Sequence, residues 1–280
     1  MRSIAVHLDD SKSCEDRLVS ANVLSRLTMS GLYGVHVDQP ANYHSMFVEY
    51  PAAVSVEQHS IKDQVVDDDA LEQQQAIQQR VDTGLVAQTN FQWVKEEGDV
   101  NEVLANAGMF TDCIVVTDER PSLVGGSSMN AVELAKNTAA SVLSIPEGSP
   151  IEQSLDRVLL VWDGRVETAR TVQKVVPLLK TVKVITVVTC FDINKSMSKQ
   201  EDELQEICRY LKQNALNAEV CDFTGQVNDL KTLVARAVDW ENYDLAISGA
   251  YQNNKLESLL NQHELDLLLK SGNIPVITSS

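Results

Sequence analysis

The chain opens on an apolar run, Ile4-Ala5-Val6-His7-Leu8, that stops at Asp9-Asp10-Ser11. A short run of this kind bounded by polar residues predicts a buried strand. Leu18, Ala21, Leu24 and Leu27 then recur near helical spacing, which predicts a helix from about Ser13 to Met29 ended by Gly31. Leu32 to Val37 reads as the next strand. Residues 39–59 break the rhythm with Pro40, Pro51 and the aromatic segment from Tyr43 to Tyr50. A long polar helix follows over about Asp67 to Ala87, with the glutamine-rich stretch Glu72 to Gln75 inside it. The pattern then gives strand Phe91 to Lys95, helix Val100 to Gly108, strand Cys113 to Thr117, helix Met129 to Asn137 and strand Ser141 to Ile145. Strands alternating with helices imply crossover connections and a parallel sheet.

After Pro146-Glu147-Gly148-Ser149-Pro150, a turn-rich break, the same order restarts. Val158 to Trp162 is a strand ending at Asp163-Gly164, with a helix over about Thr168 to Leu179. Strand Val182 to Thr189, helix Gln200 to Asn214 and strand Ala218 to Phe223 come next. Helix Asn228 to Val238, strand Leu245 to Ser248, helix Glu264 to Lys270 and strand Ile274 to Thr278 complete the series. Short matches recur in the same order in both halves. Gly98-Asp99-Val100-Asn101-Glu102-Val103 returns as Gly225-Gln226-Val227-Asn228-Asp229-Leu230, and an aspartate, Asp112 or Asp244, precedes each fourth strand. Self-similarity in conserved order is the mark of duplication. The expected organisation is α/β, with two tandem doubly wound domains over residues 1–148 and 149–280.

Composition changes this picture in two places. Lys and Arg number 23 against 40 Asp and Glu, a net charge of −17. A field of that sign repels phosphate backbones and anionic lipid, so neither nucleic acid nor a membrane surface is an expected partner. A local anion site is still allowed, because the N–H groups of a helix start can hold one. The five cysteines, Cys14, Cys113, Cys190, Cys208 and Cys221, form no CxxC pair and read as reduced, mostly buried thiols. No apolar run reaches membrane-spanning length and none has the form of a signal peptide, so the expectation is a soluble, cytoplasmic protein.

In a doubly wound sheet, ligands bind beyond the carboxyl ends of the strands where the strand order reverses. There each half presents a carboxylate after its first strand, Asp9 and Asp163. Such a group suits a ribose hydroxyl or a phosphate-bound metal; it equally suits a helix N-cap. Histidines at 36, 44, 59 and 263 lack metal-ligand spacing, and no Walker loop, Gly-x-Ser-x-Gly elbow or His-Glu-x-x-His is present.

The strand ending at Asp163-Gly164, the Gly-x-Val openings at Gly98 and Gly225, and the closing sequence Asp244 to Gly249 followed by Ile274-Pro275-Val276-Ile277 together resemble the universal stress protein family. The resemblance covers both halves, with residues 39–59 the main unmatched stretch. It implies a five-stranded parallel sheet of order 3-2-1-4-5 in each half. It also implies pairing of the halves through their last strands within the chain, and leaves open a further homodimer.

Many members of that family bind ATP through Gly-x2-Gly-x9-Gly-Ser/Thr after the fourth strand, where glycines let N–H groups approach the phosphates. Here the second half keeps Gly249, while the later positions fall on Gln252 and on Gln262-His263. In the first half the opening positions fall on Thr117 and Arg120, next to the acidic Asp118 and Glu119, although Gly125-Gly126-Ser127-Ser128 follows. Gly125, Gly126 and Ser127 suit a small anion; they also suit a plain turn with a serine N-cap. His263 is either a substitute phosphate donor or a helix-start histidine without function. Val37 and Val188, at the ends of the second strands, stand where the family contacts adenine.

The functional expectation is a non-catalytic stress-response or regulatory protein with degenerate nucleotide loops. It has no certain cofactor and a protein partner that the sequence does not identify. The alternative is an ATP or AMP sensor with one half still competent, suggested by Asp163, Gly164 and Gly249 and by the surviving Gly125 to Ser128 stretch. An enzyme on the same scaffold has only the fold to recommend it. Residues 39–59 read as either a lid or partner-binding loop, or a surface excursion.

Overall fold

A computed structural model describes residues 1–38, 75–83, 91–118, 129–189, 197–220, 242–250 and 274–280. In the first half these form β1 (Ser3–Leu8), α1 (Ser13–Thr28), β2 (Gly31–Asp38), α2 (75–83), β3 (Gln92–Glu97), α3 (Val100–Ala107), β4 (Cys113–Val116), α4 (Ala131–Asn137) and β5 (Ser141–Ser144). The second half contributes β6 (Arg157–Trp162), α5 (Val166–Leu179), β7 (Val184–Thr189), α6 (Met197–Gln213), β8 (Ala218–Val220), β9 (Leu245–Gly249) and β10 (Val276–Ser279). The 39–59 insertion, the helices expected at 228–238 and 264–270, and the loop positions Gly125, Gly126, Ser127, Gln252 and His263 lie outside the described residues, as do Cys190 and Cys221.

The ten described strands join one sheet, in the order β3-β2-β1-β4-β5-β10-β9-β6-β7-β8. Read inward from either edge, each run of five has the expected 3-2-1-4-5 arrangement. Pairing is parallel everywhere except at the seam, where β10 runs antiparallel to β5 and sets Ile277 opposite Leu143. Alternation along each strand divides the side chains between two cores. Ile4, Val6 and Leu8 of β1 face α1 and α2, while Ala5 faces the side of α3 and α4. Both cores run through the two halves: on the first side Leu18 and Leu24 of α1 belong to one cluster with Val172 and Val175 of α5, and the two helices lie against each other. Across the seam Ser279 Oγ donates to Ser141 Oγ at 3.0 Å, both buried, and the N–H of Ile151 reaches Ser20 Oγ at 2.9 Å.

The paired aspartates noted in the sequence have a common task at the opposite, amino ends of the strands. Asp112 Oδ2 accepts from the N–H groups of Arg2 and Ser3, and Asp244 Oδ2 accepts from those of Asp156 (2.7 Å) and Arg157 (2.8 Å). Each carboxylate thus clips the start of a fourth strand to the start of the first.

The end of α1 departs from expectation. Gly31 does not terminate the helix; it is the first residue of β2, opposite Ser3. The left-handed C-cap is Met29, at φ 53°, with its side chain 92% exposed. A side chain in that conformation costs about 1–2 kcal/mol that glycine avoids, less what glycine loses in chain entropy. Met29→Gly is therefore expected to raise unfolding stability by about 0.5–1 kcal/mol, read as a higher urea midpoint at unchanged slope.

Candidate functional site

The strand order reverses between β1 and β4 in the first half and between β6 and β9 in the second, so each half has a crevice at the carboxyl ends. Ile4 pairs with Leu32 and Cys113, and Val158 pairs with Ile185 and Leu245. Counting on from Ile4 and Val158 makes Asp9 equivalent to Asp163, His7 to Val161, Cys14 to Thr168 and Arg17 to Thr171. The same register sets Val188 beside Val161, level with Val35; Val37 stands one pleat further out.

In the first crevice Asp9 is one partner in a buried cluster. Arg17, fully buried on the first turns of α1, sends Nε to the carbonyl of His7 (2.9 Å) and Nη1 to Thr117 Oγ1 (3.0 Å). Its Nη2 lies 2.6 Å from Asp9 Oδ1, off the line of its N–H bonds, so this third contact is an ion pair without a well-formed hydrogen bond. Asp9 Oδ1 also accepts from the N–H (3.0 Å) and hydroxyl (2.5 Å) of Ser11. Burial alone would raise the Asp9 pKa, but the charge of Arg17, then His7 and the Ser11 hydroxyl, outweigh it and hold the carboxyl below its usual value. The guanidinium bridges the two sides of the switch point, from the end of β1 to the residue after β4. Asp118, next in the chain, accepts the N–H of Ala131 at 2.9 Å and so helps hold the start of α4.

His7 is pressed the other way. Burial, then the charge of Arg17, lowers its pKa to about 3, although Asp9, 3.7 Å away, pulls upward. The imidazole is neutral in the folded chain, whereas in the unfolded chain it gains a proton below about 6.5. Folding stability is thus expected to fall as pH drops from about 6.5 towards 3, by up to about 1.4 kcal/mol per pH unit from this group. The lowered Asp9 pKa adds to acid lability, since its contribution is lost as pH falls through its folded value. Urea melts from pH 7 to pH 4 measure the slope. His7→Val, which copies Val161, is expected to flatten it; an unchanged slope would assign the acid sensitivity elsewhere.

The second crevice has no arginine at the place of Arg17. Thr171 stands at the equivalent place, its hydroxyl donating to the carbonyl of Glu167 at 2.8 Å. Asp163 Oδ1 accepts the N–H of Arg165 (3.0 Å), and Arg165 Nε lies 3.9 Å from Oδ2. Gly164 follows at φ 70°, a conformation that suits glycine and lets the chain turn sharply into α5. Gly249 is where α5 approaches β9: a Cβ there would stand 2.5 Å from the backbone nitrogen of Thr168. Its lack of a side chain is used for close helix packing. Among the described residues Thr168 Oγ1 and Trp162 Nε1, both buried atoms, meet no hydrogen-bond partner, each a cost of about 1–3 kcal/mol in a dry site.

The structure thus brings Asp163, Gly164 and Gly249 to one crevice and Asp9 to the other, with Val37 and Val188 on the second strands. The sequence reading missed Arg17. Its signal was a charged residue four and seven positions before Ala21 and Leu24, on the buried stripe of α1. Among the described residues no group of three or more His, Cys, Asp or Glu could hold a metal ion, and no helix is long and apolar enough to cross a membrane.

Two five-strand runs of the same order, joined through their last strands, define a doubly wound α/β fold with a switch point in each half. No family model and no curated protein matches the sequence. Among solved structures, a universal stress protein from Archaeoglobus fulgidus DSM 4304 is similar with a TM-score of 0.67 at 12% identity, covering 99% of this chain and 96% of that one. A candidate universal stress protein from Pseudomonas aeruginosa UCBPP-PA14 gives 0.51 at 14%, over 100% and 93% of the two chains. A functionally unknown protein from Pseudomonas aeruginosa PAO1 gives 0.50 at 13%, over 100% and 92%. At these identities the likeness is one of fold.

Proposed function

We propose that the chain is a tandem universal stress protein with a regulatory, non-catalytic role in the cytoplasm, acting through a protein partner, its two domains (1–148 and 149–280) paired with each other inside one chain. The observation that carries this reading is the Arg17 guanidinium, which ties Asp9 to Thr117 across the first crevice and leaves the carboxylate committed within the protein. Two of its neighbours are also held in their neutral forms. Burial and Arg17 lower the His7 pKa to about 3, and burial pushes the Cys14 thiol above its ordinary value.

A second reading, an adenine-nucleotide sensor, is favoured by one observation of its own: the unpartnered Thr168 hydroxyl and Trp162 indole N–H beside Asp163. ATP or AMP would then occupy only the second crevice. Calorimetric titration with Mg–ATP and AMP, with phosphate release followed in parallel, tests both. The regulatory reading expects no turnover and no saturable heat. The sensor reading expects binding abolished by Asp163→Ala, with hydrogen-exchange protection at residues 163–168 and 245–250. Protection at residues 9–17, or steady hydrolysis, would overturn both.

A further inference from the structure

A cavity of about 560 Å³ runs along α3 where that helix overhangs the outer two strands of the first half, and it shares no lining residue with either crevice. One wall is β2 and β3, where register sets Val35 beside Val94 and adds Tyr33 below them. The other is the helix, whose Val103 and Ala107 stand one turn apart on the same face, with Phe110 continuing the wall beyond its end. Phe110 is 95% exposed and Val94 47%, an unusual outlay of apolar surface in a chain this acidic.

The two ends differ in charge. At the carboxyl end of β3 the cavity is rimmed by Glu96, Glu97 and Glu102, all exposed and without a cationic partner among the described residues; Lys95 is engaged with Asp38 at 2.7 Å. Asp99 stands there too, but caps α3 by accepting the N–H groups of Asn101 and Glu102, which also answers the helix's own positive end. Towards the far end stand Tyr33, Asn106, Ala107 and Phe110, none of them charged, with the tyrosine hydroxyl bonded to Thr111. An acidic rim therefore sits on one end of an apolar trough, whose helix wall from Val100 to Ala107 spans roughly 12 Å. The volume is that of a small-molecule site.

We propose that this cavity binds an amphiphilic organic cation, with an ammonium group held by Glu96, Glu97 and Glu102 and an alkyl or aryl tail laid along Val94, Val103 and Phe110. The net charge of −17 draws such a ligand and repels its anionic counterpart.

The probe is n-octylammonium, titrated calorimetrically into the full chain beside octanoate, which has the same chain length and the opposite charge. Saturable binding of the amine and none of the acid is expected. Glu96→Gln with Glu102→Gln is expected to weaken the amine about three- to tenfold, and Phe110→Ser about fivefold or more. These side chains are exposed and their replacement spares the cores, so circular dichroism and melting are expected to stay as in the parent. Equal affinity for octanoate, unchanged affinity in both variants, or no saturation by about 10 mM amine would each overturn the proposal. Its failure leaves the reading of the two crevices untouched, because the residues differ.

Discussion

Arg17→Met is expected to destabilise the folded chain by about 3–5 kcal/mol, a large share of the stability of a typical domain. The methionine fills much of the same volume, so the loss is electrostatic more than steric. Removing the guanidinium strips the donor from the His7 carbonyl and from Thr117, and leaves Asp9, whose side chain is only 20% exposed, with Ser11 as its remaining support. The carboxyl pKa of Asp9 then rises towards and past its ordinary value. Asp9→Asn in the same background is expected to restore part of the loss, because the buried charge is gone. Urea melts of the two single variants and the double complete the cycle, with a coupling of about 1–3 kcal/mol anticipated. If Arg17→Met costs less than about 1 kcal/mol, the pair is solvated and does not close the crevice.

Ile277→Asp should have a comparable or greater effect by a different route. Ile277 is fully buried on β10, opposite Leu143 across the antiparallel seam, and belongs to the core that joins α1 to α5. An aspartate there forfeits about 2–5 kcal/mol of packing, and a charge without a partner adds several more. Because the same clusters extend through both halves, the damage is not confined to the last strand. Urea melts of the parent are expected to show one transition, and those of the variant a loss of cooperative folding in both halves. Ile277→Val, costing about 1 kcal/mol, separates the charge from the shape. A variant that kept the first half natively folded, with a second transition at the parent midpoint, would mean that the halves stand independently.

Most of the framework was readable because it rests on periodicity. The strands at 4–8, 113–117, 141–145 and 158–162 are short apolar runs between polar stops, and their alternation with amphipathic helices restricts the topology to parallel crossovers. Tertiary tasks were harder to read. Gly31 looked like a helix stop because glycine is the usual one, yet Met29 takes the left-handed turn while Gly31 is used in the sheet. Gly249 looked like a phosphate-loop glycine; in the structure its missing side chain admits the first turn of α5, a contact set by a residue 81 positions earlier in the chain, Thr168. Asp9 and Asp163 read alike because each follows the apolar run of its half's first strand. Much of what separates them lies at one helix position, arginine at 17 and threonine at 171, and the reach of Arg17 across to the residue after the fourth strand is encoded by no local pattern. The aspartates 112 and 244 were visible as a repeat, but their carboxylates act on backbone 110 and 88 residues away.

The antiparallel seam between β5 and β10 also bears on how such a molecule can change. In an assembly of two identical chains every substitution appears twice, so an arginine that closes one site closes both. Joining the partners covalently removes that constraint. One crevice can be sealed for rigidity while its counterpart keeps polar atoms to offer, and each can drift without dragging the other along. In this chain the corresponding places in the two halves already differ, with arginine at 17 and threonine at 171.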